Sequence, residues 1–131
     1  ISMVLLRDGL QRASLDPDIG TMIKSSMTLM LGNATLIMPR LQDSEKPDVI
    51  YLDPMYPHRD KRAQVKKEMR ALQLLIGQDN DTAELLTAAL ACARQRVVVK
   101  RPRLAPPISG PTANMSIEGK NTRYDVYLTG L

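Results

Sequence analysis

The sequence has one cysteine, one histidine, no tryptophan, no phenylalanine and only 3% aromatic residues. It also has no apolar run as long as the roughly 18 residues that mark a membrane helix. Each absence excludes something. A lone Cys92 cannot form a disulfide within the chain, which fits a reducing cytoplasm. Without a Cys/His cluster no metal centre is expected, and without a long apolar run no membrane span is expected. The first ten residues lack a basic stretch followed by a small-residue cleavage site, so they do not read as a signal peptide. They also lack an initiator Met and begin inside an amphipathic pattern, Val4-Leu5-Leu6 followed by Leu10, so the chain reads as one entered within a helix, a fragment of a longer product. There is no internal repeat and no low-complexity tract.

What is present suits one small α/β domain. Of 131 residues, 44% are hydrophobic and 24% charged, the balance of an ordinary globular chain. With so few aromatics, aliphatic side chains and the eight Met residues must fill the interior, and Met packs adaptably. The net charge of +4 has two readings: a solvated surface, or an electrostatic footprint for nucleic acid if the charge clusters.

The apolar pattern predicts a helix over Val4–Ala13. Asp16-Pro17 reads as an N-cap with Pro at the first helical position, opening a short helix to about Ser26. Thr28–Leu31 reads as a short strand ending at Gly32, Leu36–Leu41 as helical, and Asp43–Pro47 as a polar loop. Val49-Ile50-Tyr51-Leu52 is a continuous apolar run stopped by Asp53-Pro54, the signature of a strand buried on both faces of a parallel sheet. Val65, Met69, Leu72 and Ile76 form one apolar stripe on a helix over Arg62–Ile76, stopped by Gly77. Asp81 and Glu84 give a capping-box pattern for a helix to about Gln95. Val97–Val99 reads as a second buried strand closed by Lys100-Arg101-Pro102, followed by a Pro-rich loop to Pro111. Strands near Met115–Glu118 and Tyr124–Leu128 finish the chain, the last alternating like an antiparallel partner. Buried strands separated by helices predict a largely parallel α/β sheet, whose ligands bind outside the carboxyl ends of the strands. Asp53-Pro54-Met55-Tyr56-Pro57 and Lys100-Arg101-Pro102 stand at such ends.

The loop after Leu52 offers a carboxylate, carbonyl acceptors stiffened by two prolines, and one ring. This set suits an amino group on a planar base; the plain alternative is a strand-ending turn with Asp53 as a helix cap. Arg59, Lys61, Arg62, Lys66, Lys67 and Arg70 follow that loop directly, with Arg62, Lys66 and Arg70 flanking one side of the apolar stripe. The run is either a solvated face or a phosphate-contacting patch that Lys100 and Arg101 extend; such contacts give affinity and register rather than sequence reading. His58 is a weak candidate for proton acceptor. Cys92, on an Ala-rich helix, reads as a small core residue. Arg123 and Asp125 either pair structurally or line an RNA-facing surface.

The Asp53-Pro54-Met55-Tyr56 string is similar to the Asp/Asn-Pro-Pro-Tyr/Phe motif of Rossmann-like amino-group methyltransferases, with Met in place of the second Pro. The longer strings Asp48-Val49-Ile50-Tyr51-Leu52-Asp53-Pro54-Met55-Tyr56-Pro57-His58, Val65-Lys66-Lys67-Glu68-Met69-Arg70, Arg96-Val97-Val98-Val99-Lys100-Arg101-Pro102 and Arg123-Tyr124-Asp125-Val126-Tyr127 are more specific. With Asp8-Gly9-Leu10 and Arg12-Ala13, they resemble the J family of small-subunit (16S) rRNA guanine-N2 methyltransferases over essentially the whole chain. The resemblance implies an incomplete Rossmann-like class I methyltransferase fold, with residues 1–131 as the C-terminal part of a single S-adenosylmethionine (SAM)-dependent domain. It implies that Asp53 and the Pro54 carbonyl accept hydrogen bonds from a guanine amine, that Tyr56 stacks on the base, and that Asn33, Ala34, Thr35 and Asp53 face the donor. It implies small-subunit rRNA, free or in the assembled subunit, as partner, no metal and no membrane; the oligomeric state is left open.

The usual strand order of that class is three, two, one, four, five, seven, six. The Gly-rich turn after strand one and an acidic strand-end residue for the donor ribose are not in this sequence, and the resemblance places them upstream of Ile1. These residues alone are therefore expected to be unstable or inactive, with an exposed strand-four edge. Two other functions stay open: a non-catalytic RNA-binding or ribosome-assembly module, and another amino-group methyltransferase acting on DNA or RNA.

Overall fold

A computed structural model describes residues 2–56 and 80–130, which fall into two compact units divided between Asn33 and Ala34. In the first unit, helix α1 (Ser2–Ser14) and helix α2 (Gly20–Ser26) are joined by a tight turn. Asp16 organises that turn: its Oδ1 accepts from the N–H groups of Asp18 at 2.8 Å and Ile19 at 3.2 Å, and its carbonyl accepts from Gly20 N–H at 2.8 Å. Asp16-Pro17 thus caps a turn, and the helix proper begins later than the sequence reading placed it. Gly20 is buried, and a Cβ there would lie 2.4 Å from the Ser14 carbonyl oxygen. Because the obstacle is backbone, Gly20→Ala is expected to cost about 1–3 kcal/mol by overpacking, measured as a lower urea midpoint against Gly9→Ala, where a Cβ meets nothing within 4 Å.

Thr28–Leu31 forms no strand. Met27, just before it, has extended torsions, φ −122° and ψ 131°, but residues 28–31 have no ladder partner among the described residues. A strand is a paired state, and an apolar run supplies only the propensity for it.

The second unit begins with helix α3 (Ala34–Ile37), which runs into a 3₁₀ turn, Met38–Arg40, with a further 3₁₀ turn at Asp43–Glu45. Strand β1 (Val49–Leu52), helix α4 (80–92), strand β2 (Arg96–Pro102), strand β3 (Met115–Glu118) and strand β4 (Thr122–Leu128) follow. The sheet order is β1-β2-β4-β3; β1 and β2 are parallel, and β4 is antiparallel to both β2 and β3. That order is the four, five, seven, six segment of the class, with its antiparallel last strand. Only one of the three pairings is parallel, yet β1, β2 and β3 run the same way and β4 alone opposes them, as in a Rossmann-like sheet with an antiparallel last strand.

Helix α4 presents Thr82, Leu86, Ala89 and Ala93 just past its end at intervals of four, three and four, all buried, which is one helical face. Ala89, Ala93 and Cys92 are small, so α4 packs closely on a core of Val97, Val99, Tyr127, Leu52, Met38 and Ile108. Cys92 is a buried core residue, as expected. The helix ends at 92, short of Gln95, because Arg94 and Gln95 donate their backbone N–H groups to Pro47 and Asp48, and the Arg94 guanidinium reaches the Asp43 carbonyl.

Strand β2 continues through Lys100, Arg101 and Pro102, paired with Tyr124, Arg123 and Thr122. The apolar run alone ends the strand at Val99, with these residues closing it. A proline is tolerated there because it stands at the strand end. The expected Arg62–Ile76 helix, His58 and the basic set Arg59, Lys61, Arg62, Lys66, Lys67 and Arg70 lie outside the described residues. No described helix is long and apolar enough to cross a membrane.

Candidate active site

Strand β1 delivers Asp53 to the carboxyl end of the sheet. Leu52 is paired with Val99, so the next residues, Asp53 and Lys100, are neighbours; Lys100 Nζ lies 3.7 Å from Asp53 Oδ2, with the side chains 41% and 57% exposed. An ion pair that open contributes at most about 1 kcal/mol, so either group can exchange its partner for a ligand. Pro54 stiffens the chain after Asp53, Met55 is 87% exposed, and Tyr56 is half-buried.

Tyr56 is held by a residue expected to do something else. The Arg101 Cζ lies over the Tyr56 ring, 4.9 Å from its centroid. Arg101 is only 3% exposed, and its Nη2 donates to the Pro106 carbonyl at 2.6 Å. Its charge faces a ring and a loop carbonyl inside the fold rather than open solvent. The signal was in the sequence. Side chains alternate across a strand, so Arg101 shares the face of Val97 and Val99, and β2 shows that alternation in its burial. Ending the strand at Val99 hid it.

Beside this group is an ion-pair network. Arg123 meets Asp125 in a forked pair, Nε to Oδ1 at 2.9 Å and Nη2 to Oδ2 at 3.1 Å, while Ser116 Oγ donates to Asp125 Oδ1 at 2.6 Å. Arg123 Nη1 donates to the carbonyls of Arg103 at 2.9 Å and Ala105 at 2.7 Å. Burial by itself would raise the Asp125 pKa. The hydrogen bonds from Arg123 and Ser116 and the charges of Arg123 and Arg101 outweigh it, holding the carboxyl below its ordinary value. Burial, then the nearby Asp125 charge, pushes the Tyr127 phenol up. Of the two readings left open for Arg123 and Asp125, the structure selects structural pairing. The network borders a cleft of about 340 Å³ lined by the Pro-rich loop, including Pro107, Ile108 and Pro111.

The structure therefore gathers Asp53, Pro54, Tyr56, Lys100 and Arg101 at one end of the sheet. Asn33 is exposed just before α3, and Ala34 and Thr35 open that helix. Among the described residues no group of three or more His, Cys, Asp or Glu is placed to hold a metal ion.

The strand order, with the Asp53–Tyr56 loop following β1, is that of part of a Rossmann-like methyltransferase fold. Residues 1–129 match the family described as "Putative SAM-dependent methyltransferase", and the chain belongs to that family. It is 56% identical over 126 residues to the ribosomal RNA small subunit methyltransferase J of Thioalkalivibrio sulfidiphilus, covering 96% of this chain and 49% of the relative. It is 57% identical over 123 residues to the protein of the same name from Pseudomonas aeruginosa, covering 94% and 46%. The chain thus spans about half the length of the curated relatives it matches. The crystal structure of a SAM-dependent methyltransferase from Neisseria gonorrhoeae superposes with a TM-score of 0.74 at 40% identity, over 97% of this chain and 48% of that one.

Proposed function

We propose that this chain is the acceptor-side, C-terminal part of a SAM-dependent methyltransferase domain that methylates the exocyclic N2 of a guanine in small-subunit rRNA, in the cytoplasm. The observation that carries it is the Asp53–Tyr56 loop, with a solvent-accessible carboxylate and a held ring at the carboxyl end of β1. The names of the relatives support the choice of rRNA. The described residues fit the methyl-acceptor side of a donor site. Asn33, Ala34, Thr35 and Asp53 are the residues we assign to hold SAM, which when bound supplies an electrophilic methyl group.

A guanine amine is a poor nucleophile because its lone pair is delocalised into the ring. Asp53 and the Pro54 carbonyl accept its N–H groups and hold them out of the ring plane, while Tyr56 stacks on the base. This is positioning and electrostatics without a covalent intermediate. The base is unstacked from structured RNA first, as in other base-modifying enzymes. The methylated amine then releases its proton to water.

Lys100, in its weak pair with Asp53, and the basic residues Arg59, Lys61, Arg62, Lys66, Lys67 and Arg70 are proposed to meet RNA phosphates; Arg101 is withdrawn from that set. Lys66→Glu with Arg70→Glu is expected to weaken RNA binding and flatten the slope of log affinity against log salt by about 2. An unchanged slope in filter binding would make them a solvated face.

The test is methyl transfer from labelled SAM to small-subunit rRNA, free and in subunits. It compares the chain alone with a joined enzyme, the chain fused to the N-terminal portion of the Thioalkalivibrio sulfidiphilus relative. Transfer to guanine N2 by the joined enzyme alone supports the proposal. RNA binding without transfer in either would favour a ribosome-assembly module, and transfer to DNA would indicate another amino-group methyltransferase.

A further inference from the structure

Resting on that function, we infer that Arg101 is a positioning residue for the target base: its buried guanidinium holds one face of the Tyr56 ring and so sets the stacking platform beside Asp53. A cation at 3% exposure is costly unless its charge and donors are engaged. Here the charge acts on Asp125 of the neighbouring strand, one donor is taken by the Pro106 carbonyl, and Cζ lies over the Tyr56 ring, 4.9 Å from its centroid.

The two sides of the Arg101–Tyr56 contact come from elements of unequal rigidity. Strand β2 is paired along both edges, with β1 and β4. Tyr56 stands on an irregular loop four residues beyond a four-residue strand. The central strand therefore lends its position to the loop through the guanidinium. A ring with a cation on one face keeps the other for a planar partner. The cation draws on the ring's negative face, which reduces electrostatic repulsion with an electron-rich purine stacked opposite.

The contact is specific to Arg. Lysine carries the charge but not the delocalised head with several donors that can meet a ring and a carbonyl at once. In sequence, Arg101 and Tyr56 are 45 positions apart, and their meeting depends on the parallel β1–β2 register.

The experiment is a double-variant cycle in the joined enzyme, with Arg101→Gln and Arg101→Lys each made alone and combined with Tyr56→Leu. Arg101→Gln is expected to lower kcat/KM for RNA roughly 3- to 30-fold, the range of one partly desolvated cation–π contact, with the KM for SAM unchanged. Arg101→Lys is expected to recover only part of the loss. Neither is expected to add to the loss in the Tyr56→Leu background, whereas Tyr56→Phe, which keeps the ring face, retains the dependence on Arg101. An Arg101 effect of equal size with and without the Tyr56 ring would overturn the inference, as would a loss that follows a lowered melting midpoint and raises the KM for SAM in step.

A second reading needs no turnover. In NMR spectra, the Arg101 guanidinium proton resonances are expected to lose their upfield ring-current shift in Tyr56→Leu, and an unmoved resonance would overturn the contact. A wild-type joined enzyme with no methyl transfer would instead overturn the proposed function, leaving the spectroscopic arm to decide the contact by itself.

Discussion

Replacing Asp53 with alanine in the joined enzyme is expected to lower methyl transfer by about 10²–10³-fold or more, the usual consequence of removing a group aimed at charge that develops in the transition state. RNA binding should persist. The carboxylate is the charged acceptor at the end of β1, and its 57% exposure leaves its oxygens open to a base. Its removal has a second consequence: Lys100 Nζ, now 3.7 Å from that carboxylate, is left as an uncompensated cation beside an amine that gains positive charge as the methyl arrives. Asp53→Asn keeps an acceptor oxygen and loses the charge, so it should fall between wild type and Asp53→Ala. Single-turnover transfer and filter binding, measured on the same preparations, separate chemistry from affinity. Turnover retained in Asp53→Ala would sink the role given to this residue.

The second large effect lies in the core. Asp125→Asn is expected to destabilise the joined enzyme by about 3–5 kcal/mol, because removing one partner of a buried pair leaves the other charge uncompensated. Two cations are involved, Arg123 in direct forked contact and Arg101 acting on Asp125 through its charge. Asp125→Asn combined with Arg123→Met should recover part of the loss, since buried pairs exchanged for apolar groups of similar size are often neutral. A single variant within about 0.5 kcal/mol of wild type in urea, the scatter of ordinary surface changes, would show that the network contributes little. The pH dependence has a definite sign. The folded-state pKa of Asp125 lies below its ordinary value of 3.8, so on acidification the unfolded chain takes up the proton first. The stabilisation is complete above that value and is lost as pH falls through the lower folded value. The Asn variant should lack this part of the acid slope.

Much of this was legible locally. Val49–Leu52 is apolar without alternation and stops at Asp-Pro, so the strand and its end could be read from adjacent residues; its burial on both faces could not, since β1 stands at the edge of the described sheet with Val49 and Tyr51 exposed. Met115–Glu118 and the alternating Tyr124–Leu128 likewise emerged as strands, and Cys92 emerged as core from its Ala-rich surroundings. The fold class and the resemblance to methyltransferases rested on ordered strings that a sequence carries directly. Thr28–Leu31 misled because an extended apolar run and a strand differ only by a partner, which no local pattern contains. Lys100-Arg101-Pro102 extend the strand beyond its apolar run because pairing with β4 draws them into the sheet, which two cations and a proline do not signal locally.

The sequence by itself therefore determined the four strands of the sheet, their order along the chain and the residue types offered after Leu52, because periodicity and turn residues act over a few positions. Tertiary structure decided which way the charged side chains point. Arg101 finds its partners because the β2–β4 register sets it across from Arg123 and diagonal to Asp125, two residues further along β4, and the parallel β1–β2 register brings its guanidinium to the Tyr56 ring. Burying a charge is favourable only where distant segments supply its countercharge and acceptors, and those partners lie 5, 24 and 45 positions away in the chain at Pro106, Asp125 and Tyr56.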